Sequence, residues 1–358
     1  MKDILRSFKF YFFVSLITML VVGYWRFLII NTYGSDTYPE YGAFREEGFT
    51  LVLSMSLFSS FLLALFSSLV DKFFFKYFLH RKSLGFVLVS STLIQLIFIN
   101  LIIYVSGHFL SFHFLEGTIL PRNNFYQIPD LKMLVLTMFF IIAVSRLLLE
   151  IDQKLGRGNL WKLITGKFYS PREERRIFMF IDLKYSTTIA EEIGHYMFSC
   201  LIQDCFRDLS VIQKYNAEVY QYVGDEVVIS WDAKSGLEKN NYLKAFYAFK
   251  DVLESRRQYY EKSYGLFPYF KAGANLGLCT VTEVGELKRD ICYHGDTLNT
   301  ASRIEGLCNF YKAELLISEY LVRESEFKNE FTIEESGCVE LRGKSKKVGL
   351  YKVALNGQ

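Results

Sequence analysis

The chain has 358 residues, 51% of them hydrophobic and 17% aromatic, and its 41 basic and 38 acidic side chains leave a formal net charge of +3. That length suits about two domains, and the near-balanced charge, with no basic stripe interleaved with aromatics, argues against nucleic acid as a partner. All 6 cysteines fall in the second half with none in C-x-x-C spacing, so neither a zinc site nor a disulfide framework is indicated, and free thiols suit a reducing compartment.

Composition changes near residue 150. Before it, four apolar runs occupy roughly 10–30, 50–70, 84–105 and 132–150, each near the ~20 residues a helix needs to cross a bilayer. The expectation is a four-helix transmembrane domain over 1–150, with the lipid bilayer as its partner. The first run, ending "GYWRFLII", is too long and bulky for a cleaved signal peptide. Lys2, Arg6 and Lys9 precede the first run and Lys72, Lys76, Arg81 and Lys82 follow the second, whereas Asp36, Glu40, Glu46 and Glu47 follow the first. The positive-inside rule then predicts a multi-pass inner (plasma) membrane protein with both termini and the second domain cytoplasmic. Arg26 and Arg146 lie near the ends of runs, where long basic side chains can snorkel. Residues 151–172 read as a helical linker.

The remainder, 173–358, mixes charged and apolar residues as a folded domain does. "RIFMFIDL" (176–183) is an apolar run read as a buried strand ending near Asp182. A helix is predicted over 187–215, a hairpin over 219–231, a helix over 237–262 and a long strand over 269–284. Another helix begins at "GDTLNTASRIEGL", and shorter strands cover 313–317, 330–341 and 348–354. This order predicts an α+β sandwich, one mixed or antiparallel sheet with helices on one face.

The hairpin "VYQYVGDEVVISW" places Asp225 after a glycine that permits a tight turn. If the end of the first strand lies beside that turn, Asp182 and Asp225 converge, and two carboxylates with no basic neighbour in sequence suit a hard divalent cation shared with phosphate oxygens. Asp after Gly is also a common turn former. Alternation is expected to send Glu226 to the opposite face. Tyr222, Trp231 and His294 have ordinary structural explanations and are assigned no role.

"FMFIDLKYSTTIAE", "YQYVGDEVVISW" and "YHGDTLNTASRIEGL", in this order, resemble the class III nucleotidyl cyclase catalytic domain, and "VELRGKSKKVGLYKV" resembles its final strands. The resemblance covers roughly 172–355 and implies a ferredoxin-like α+β fold. The layout of the whole chain is similar to that of bacterial membrane-bound adenylate cyclases. The resemblance implies that Asp182, Asp225 and the Leu183 carbonyl bind two Mg²⁺ or Mn²⁺ ions per site, and that amides around Ser186 and Thr187 cradle phosphates. It further implies that Asn299 orients the ribose, that Arg303 stabilises charge in the transition state, and that Arg342, with Lys344 beside it, holds the triphosphate tail. In this family the aspartates come from one domain and the Asn–Arg pair from another, so a homodimer with two equivalent sites is implied.

Base recognition is implied for Gln221 and Cys292, a mixed pair: a Gln amide both donates and accepts, so it can serve adenine or guanine. The resulting expectation is a membrane-anchored adenylate cyclase acting on ATP, with GTP possible. The alternatives are a guanylate cyclase or a membrane receptor whose cyclase-like domain only binds nucleotide.

Overall fold

In the computed structural model, which describes residues 2–33, 44–70, 85–86, 89–97, 129–154, 156, 159–287, 289–327, 330–340 and 347–356, the chain divides into two units, Met1–Lys154 and Leu155–Gln358. The first unit contains helices α1 (Lys2–Tyr33), α2 (Phe44–Val70) and α3 (Pro129–Lys154). Helix α1 packs on both α2 and α3. Met19, Leu63, Ile141 and Ile142 form one core between them, and Tyr11, Ala64 and Leu149 another. Buried serines lie among these helices, Ser15, Ser60, Ser67 and Ser145 included. The Ser67 hydroxyl donates to Oε1 of Gln95 at 3.1 Å.

The four-span expectation is corrected here. Among the described residues no helix is long and apolar enough to cross a membrane, which contradicts the multi-pass inner-membrane placement and leaves the bilayer as partner unsupported. Hydropathy along a run does not tell a helix that crosses a bilayer from one that packs on its neighbours, and part of each helix here serves helix–helix packing. In α3 the stretch between Lys132 and Arg146 is shorter than the ~20 residues of a span. Arg146 does not snorkel: it is 2% exposed and pairs with Glu150 at 2.8 Å. Of the third run only 85–86 and 89–97 lie among the described residues, all of them helical.

The second unit opens with a short helix, α4 (Asn159–Ile164), and is built on an eight-stranded mixed sheet. Strands β1 (Arg172–Leu183), β2 (Glu218–Val223), β3 (Glu226–Asp232), β4 (Phe270–Val284), β6 (Leu315–Ser318), β7 (Phe331–Glu340) and β8 (Lys347–Leu355) follow the order β2-β3-β1-β4-β6-β8-β7, and β5 (Asp290–His294) pairs with β4. Strand β4, about 50 Å long at ~3.3 Å per residue, is paired with β1 along one edge. Its other edge holds parallel β6 at 272–274 and antiparallel β5 at 280–284.

Helices cover both faces of this sheet rather than one. On the first face lie α5 (Ser186–Asp208) and α7 (Asn241–Ser255), with α6 (Ala233–Leu237), α8 (Arg257–Tyr264) and α10 (Glu319–Glu324). They meet Ile177, Met179, Ile181, Val227, Ile229 and Trp231 in the main core. On the second face lies α9 (Asp296–Gly306), whose Ala301 packs with Phe178, Val228 and Cys279. A central strand buried on both faces has no polar side to show, which is why "IFMFI" reads as a continuous apolar run.

Several elements depart from the predicted boundaries, and the helix expected over 237–262 is divided into α7 (Asn241–Ser255) and α8 (Arg257–Tyr264). The helix expected over 187–215 is an α-helix only to Asp208, continues as a 3₁₀ turn to Tyr215, and is broken at Gly194 (φ 78°, ψ 152°). Strand β5 and helix α10 are too short to show a period in sequence.

Candidate active site

The site lies at one end of the sheet's second face. Strand β1 pairs antiparallel with β3 through Ile181↔Val227 and with β4 through Asp182↔Lys271. Ile181 and Val227 face the main core. One residue on, Asp182 and Glu226 therefore turn to the α9 face, as does Lys271. The β2–β3 turn needs a positive φ, which Gly224 supplies at 62°. It brings the Asp225 carboxyl beside that of Asp182, close enough to push the Asp182 pKa up. Sequence reasoning thus brings Asp182 and Asp225 together correctly but misplaces Glu226: Asp225 sits in the turn, so alternation counted from it does not set the face of the first strand residue.

Lys271 lies between two carboxylates. Its Nζ is 3.2 Å from Oδ2 of Asp182 and 2.7 Å from Oε1 of Glu305 on α9, and both Lys271 and Glu305 are buried. Helix α9 comes this close because β4 is bare at the crossing. A Cβ added to Gly273 would lie 2.1 Å from the Glu305 backbone nitrogen, and one on Gly277 would lie 2.5 Å from Oγ1 of Thr297.

The electrostatics follow from this packing. Burial raises the Asp182 pKa, Lys271 pulls it down, and Asp225 pushes it up again. Glu305 is raised by burial, opposed by Lys271, with Asp182 and Asp225 adding to the rise. Burial opposes the Lys271 charge, but Glu305 first and Asp182 second hold its pKa above the ordinary value. Glu226 is pushed up to about 7 by burial, then by Glu305, Asp182 and Asp225. Four acidic groups thus crowd one buried lysine, and even with the Glu226 proton held up to about 7 the other three carboxylates outnumber it. Sequence reasoning assigned no part to Lys271, Glu226 or Glu305; only the register of β1 with its two neighbours reveals them.

The loop from β1 to α5 is two residues long. Lys184 N–H donates to Tyr269 O at 2.8 Å, and Tyr185, at φ 60°, caps α5 with no side-chain hydrogen bond. The first-turn amides of Ser186 and Thr187 are thus left without a side-chain cap. Ser186 is half-buried, Thr187 exposed, and the Leu183 side chain is sunk in the main core.

On α9 the buried face carries Thr297, Thr300, Ala301, Ile304 and Glu305. Asn299 is exposed and Arg303 half-buried, off that face. They are one turn apart, so they share a side of the helix. Gln221 is exposed on β2, beside a bulge at Tyr220, and shares the sheet face of Val228, its cross-strand partner. Cys292 is on β5, close to Tyr220 of β2. Tyr220 also packs edge-on against Tyr293 and Phe178. Arg342 and Lys344 lie outside the described residues.

Among the described residues no group of three or more His, Cys, Asp or Glu side chains is arranged to hold a metal ion. Asp182 and Asp225 are a pair, which fits a hard divalent cation that completes its shell from phosphate oxygens and water. The uncompensated negative charge around them is the observation that makes a dication a suitable occupant.

The comparisons with known proteins agree with this geometry. The family model for the adenylate and guanylate cyclase catalytic domain matches residues 168–354. Adenylate cyclase 2 of Rhizobium meliloti (strain 1021) is 28% identical over 276 residues, 76% of this chain and 74% of that protein. Adenylate cyclase 1 of the same organism is 26% identical over 49% of this chain and 27% of its own length. Among solved structures, a bacterial light-regulated adenylyl cyclase shares the fold, with a TM-score of 0.52 and 20% identity over 65% of this chain and 66% of that chain. Enzymes of this kind act on nucleotides and generally use divalent metal ions. With the family model matched across more than half of its length, the chain belongs to the adenylate and guanylate cyclase family of enzymes.

Proposed function

We propose that the chain is an adenylate cyclase that converts ATP to 3′,5′-cyclic AMP and pyrophosphate at sites formed between two copies of the domain at 173–358. The observation that carries this reading is the convergence of Asp182 and Asp225 in a region of excess negative charge, in a family whose curated relatives here are adenylate cyclases. Asp182, Asp225 and the Leu183 carbonyl would hold two Mg²⁺ or Mn²⁺ ions. Bound there, the ions would activate the ribose 3′-oxygen and offset charge on the phosphates.

The chain's own groups do the positioning. The amides of Ser186 and Thr187, pointing out of the first turn of α5, offer donors and a positive helix end to phosphate oxygens. Asn299 would orient the ribose and Arg303 would meet charge developing on the α-phosphate. Among the described residues neither is held by a hydrogen bond or ion pair within its own chain, so both can engage a ligand of the opposite copy. Two-fold pairing makes both sites equivalent. Arg342 and Lys344 are proposed for the triphosphate tail.

Gln221 and Cys292 are proposed for the base. Gln221 is open to solvent and can present its amide either way, while Cys292 is half-buried and its thiol is a weak donor and acceptor. Gln221 thus becomes the main polar reader, and guanine is the second reading.

Parallel assays of the purified chain with ATP and GTP, each with Mg²⁺ and Mn²⁺, test the reading. ATP is expected to be turned over preferentially and a metal chelator to abolish turnover. Asp182→Ala and Asp225→Ala are each expected to lower kcat by at least about 100-fold, the scale of losing a central electrostatic group. Full turnover in both variants would refute the metal assignment, and preference for GTP would move the assignment to a guanylate cyclase.

A further inference from the structure

Among the described residues Lys271 is the group whose charge competes with a metal ion for the same carboxylate. It holds Asp182 at 3.2 Å and Glu305 at 2.7 Å, so its ammonium has two anionic partners at once. Its backbone is fixed, since β4 is paired on both sides at this point: Asp182↔Lys271 on one edge, and Ala272↔Leu315 on the other. The partner helix is fixed as well. Gly273 brings α9 onto the strand at Glu305, and the Cys308 thiol, just beyond α9, donates to the Ala272 carbonyl at 3.2 Å. What can turn is the lysine stem, a chain of rotatable single bonds, with its ammonium.

We propose that Lys271 is a built-in counter-ion that neutralises Asp182 before metal binding and falls back onto Glu305 when a divalent ion arrives, so that the Lys271–Glu305 pair sets the metal affinity of the site. This rests on Asp182 being a metal ligand. A carboxylate near a like charge and with no cation would be costly to hold buried and ionised. Lys271 removes that cost until a dication binds. A dication beside Asp182 repels the ammonium, and without a second anion the displaced lysine would stay as an unpaired buried charge, a strongly unfavourable state. Glu305 removes that penalty. Lys271 is therefore a positioning residue: it acts through Asp182 and Glu305, with no call on the nucleotide.

The proposal predicts opposite signs for two changes. In Glu305→Gln the lysine loses its retreat, grips Asp182 more tightly, and the Mn²⁺ dissociation constant rises roughly five- to tenfold. In the double variant Lys271→Met/Glu305→Gln the competing charge is gone without leaving a buried carboxylate unpaired, and the dissociation constant falls below wild type by a similar factor. Both are read by electron paramagnetic resonance titration of Mn²⁺ into the full-length protein without nucleotide, alongside the KM for metal in turnover.

A purely structural pair predicts weaker binding or none in both variants, and that result overturns the proposal, as does unchanged affinity in both. If the double variant fails to fold, Lys271→Gln decides the matter: with the competing ammonium gone Mn²⁺ is expected to bind more tightly than in wild type, and unchanged or weaker binding refutes the proposal. Absence of Mn²⁺ binding by the wild type both alone and with a non-hydrolysable ATP analogue removes the metal assignment along with the proposal, whereas wild-type binding that is lost in Asp182→Asn keeps the assignment and isolates the test of Lys271.

Discussion

The two faces of the second unit's sheet are built from opposite materials. The face under α5 and α7 is filled by large side chains, with Trp231, Tyr242, Phe246, Phe249 and Tyr260 all fully buried. The face under α9 is stripped to Gly273 and Gly277 where the helix crosses, and at its end it carries Asp182, Glu226, Lys271 and Glu305. Large apolar contacts supply stability on the first face, whereas close backbone approach on the second holds charges at set distances. Each face does what the other cannot: a charged cluster stabilises little after desolvation, and a packed aromatic core offers a nucleotide nothing polar.

Substitutions on each face separate the two roles. The largest effect on stability is expected from Phe246→Ala, which opens a cavity in the first face and should cost about 3–5 kcal/mol in urea unfolding. The metal dependence of the residual turnover should stay unchanged, and a shift in it would mean the faces are not separate. Gly273→Ala acts on the second face. The added methyl meets the backbone of α9, which cannot yield as a side chain can, so a loss of about 1–3 kcal/mol is expected together with an altered metal KM.

Glu226→Gln sharpens the comparison through pH. In the folded chain Glu226 keeps its proton up to about 7, while an ordinary glutamate releases it near 4.5. The native state binds more protons over that window, so the group's contribution to stability falls as pH rises from about 4.5 to about 7. The variant lacks that fall, and with chelator present it should gain on wild type by about 1 kcal/mol between pH 4 and pH 8, the full shift being reduced because the group is partly open to solvent. An equal difference at both pH values would show that the carboxyl is not held protonated. The smallest effect is expected at Gly194, where the φ of 78° inside α5 disfavours any side chain although nothing crowds the position. Gly194→Ala should cost about 1 kcal/mol and measures how far the break in α5 serves the phosphate-facing turn.

Legibility in the sequence followed the range of the interaction. "RIFMFIDL" announced a buried strand and "VGDE" a hairpin turn because both are local patterns, a continuous apolar run and a glycine at positive φ. Asp182 and Asp225 could be paired because the order of elements places a strand end beside a turn. Lys271 and Glu305 could not, since each looks like an ordinary surface charge until the Asp182↔Lys271 register and the bare Gly273 crossing put them together. The first unit illustrates the same limit. Hydropathy along α1, α2 and α3 showed apolar helices, but it could not say that Met19, Leu63, Ile141 and Ile142 face one another, nor that Arg146 is buried against Glu150.

By itself the sequence determined the family, the alternation of strands and helices in the second half, and the residue types available for chemistry, because these depend on local periodicity and on motifs a few residues long. Tertiary structure alone decided which charges neutralise one another, which face each helix covers and that a lysine stands between two carboxylates. Those outcomes depend on strand register, and a shift of one residue would send every one of these side chains to the other side of the sheet.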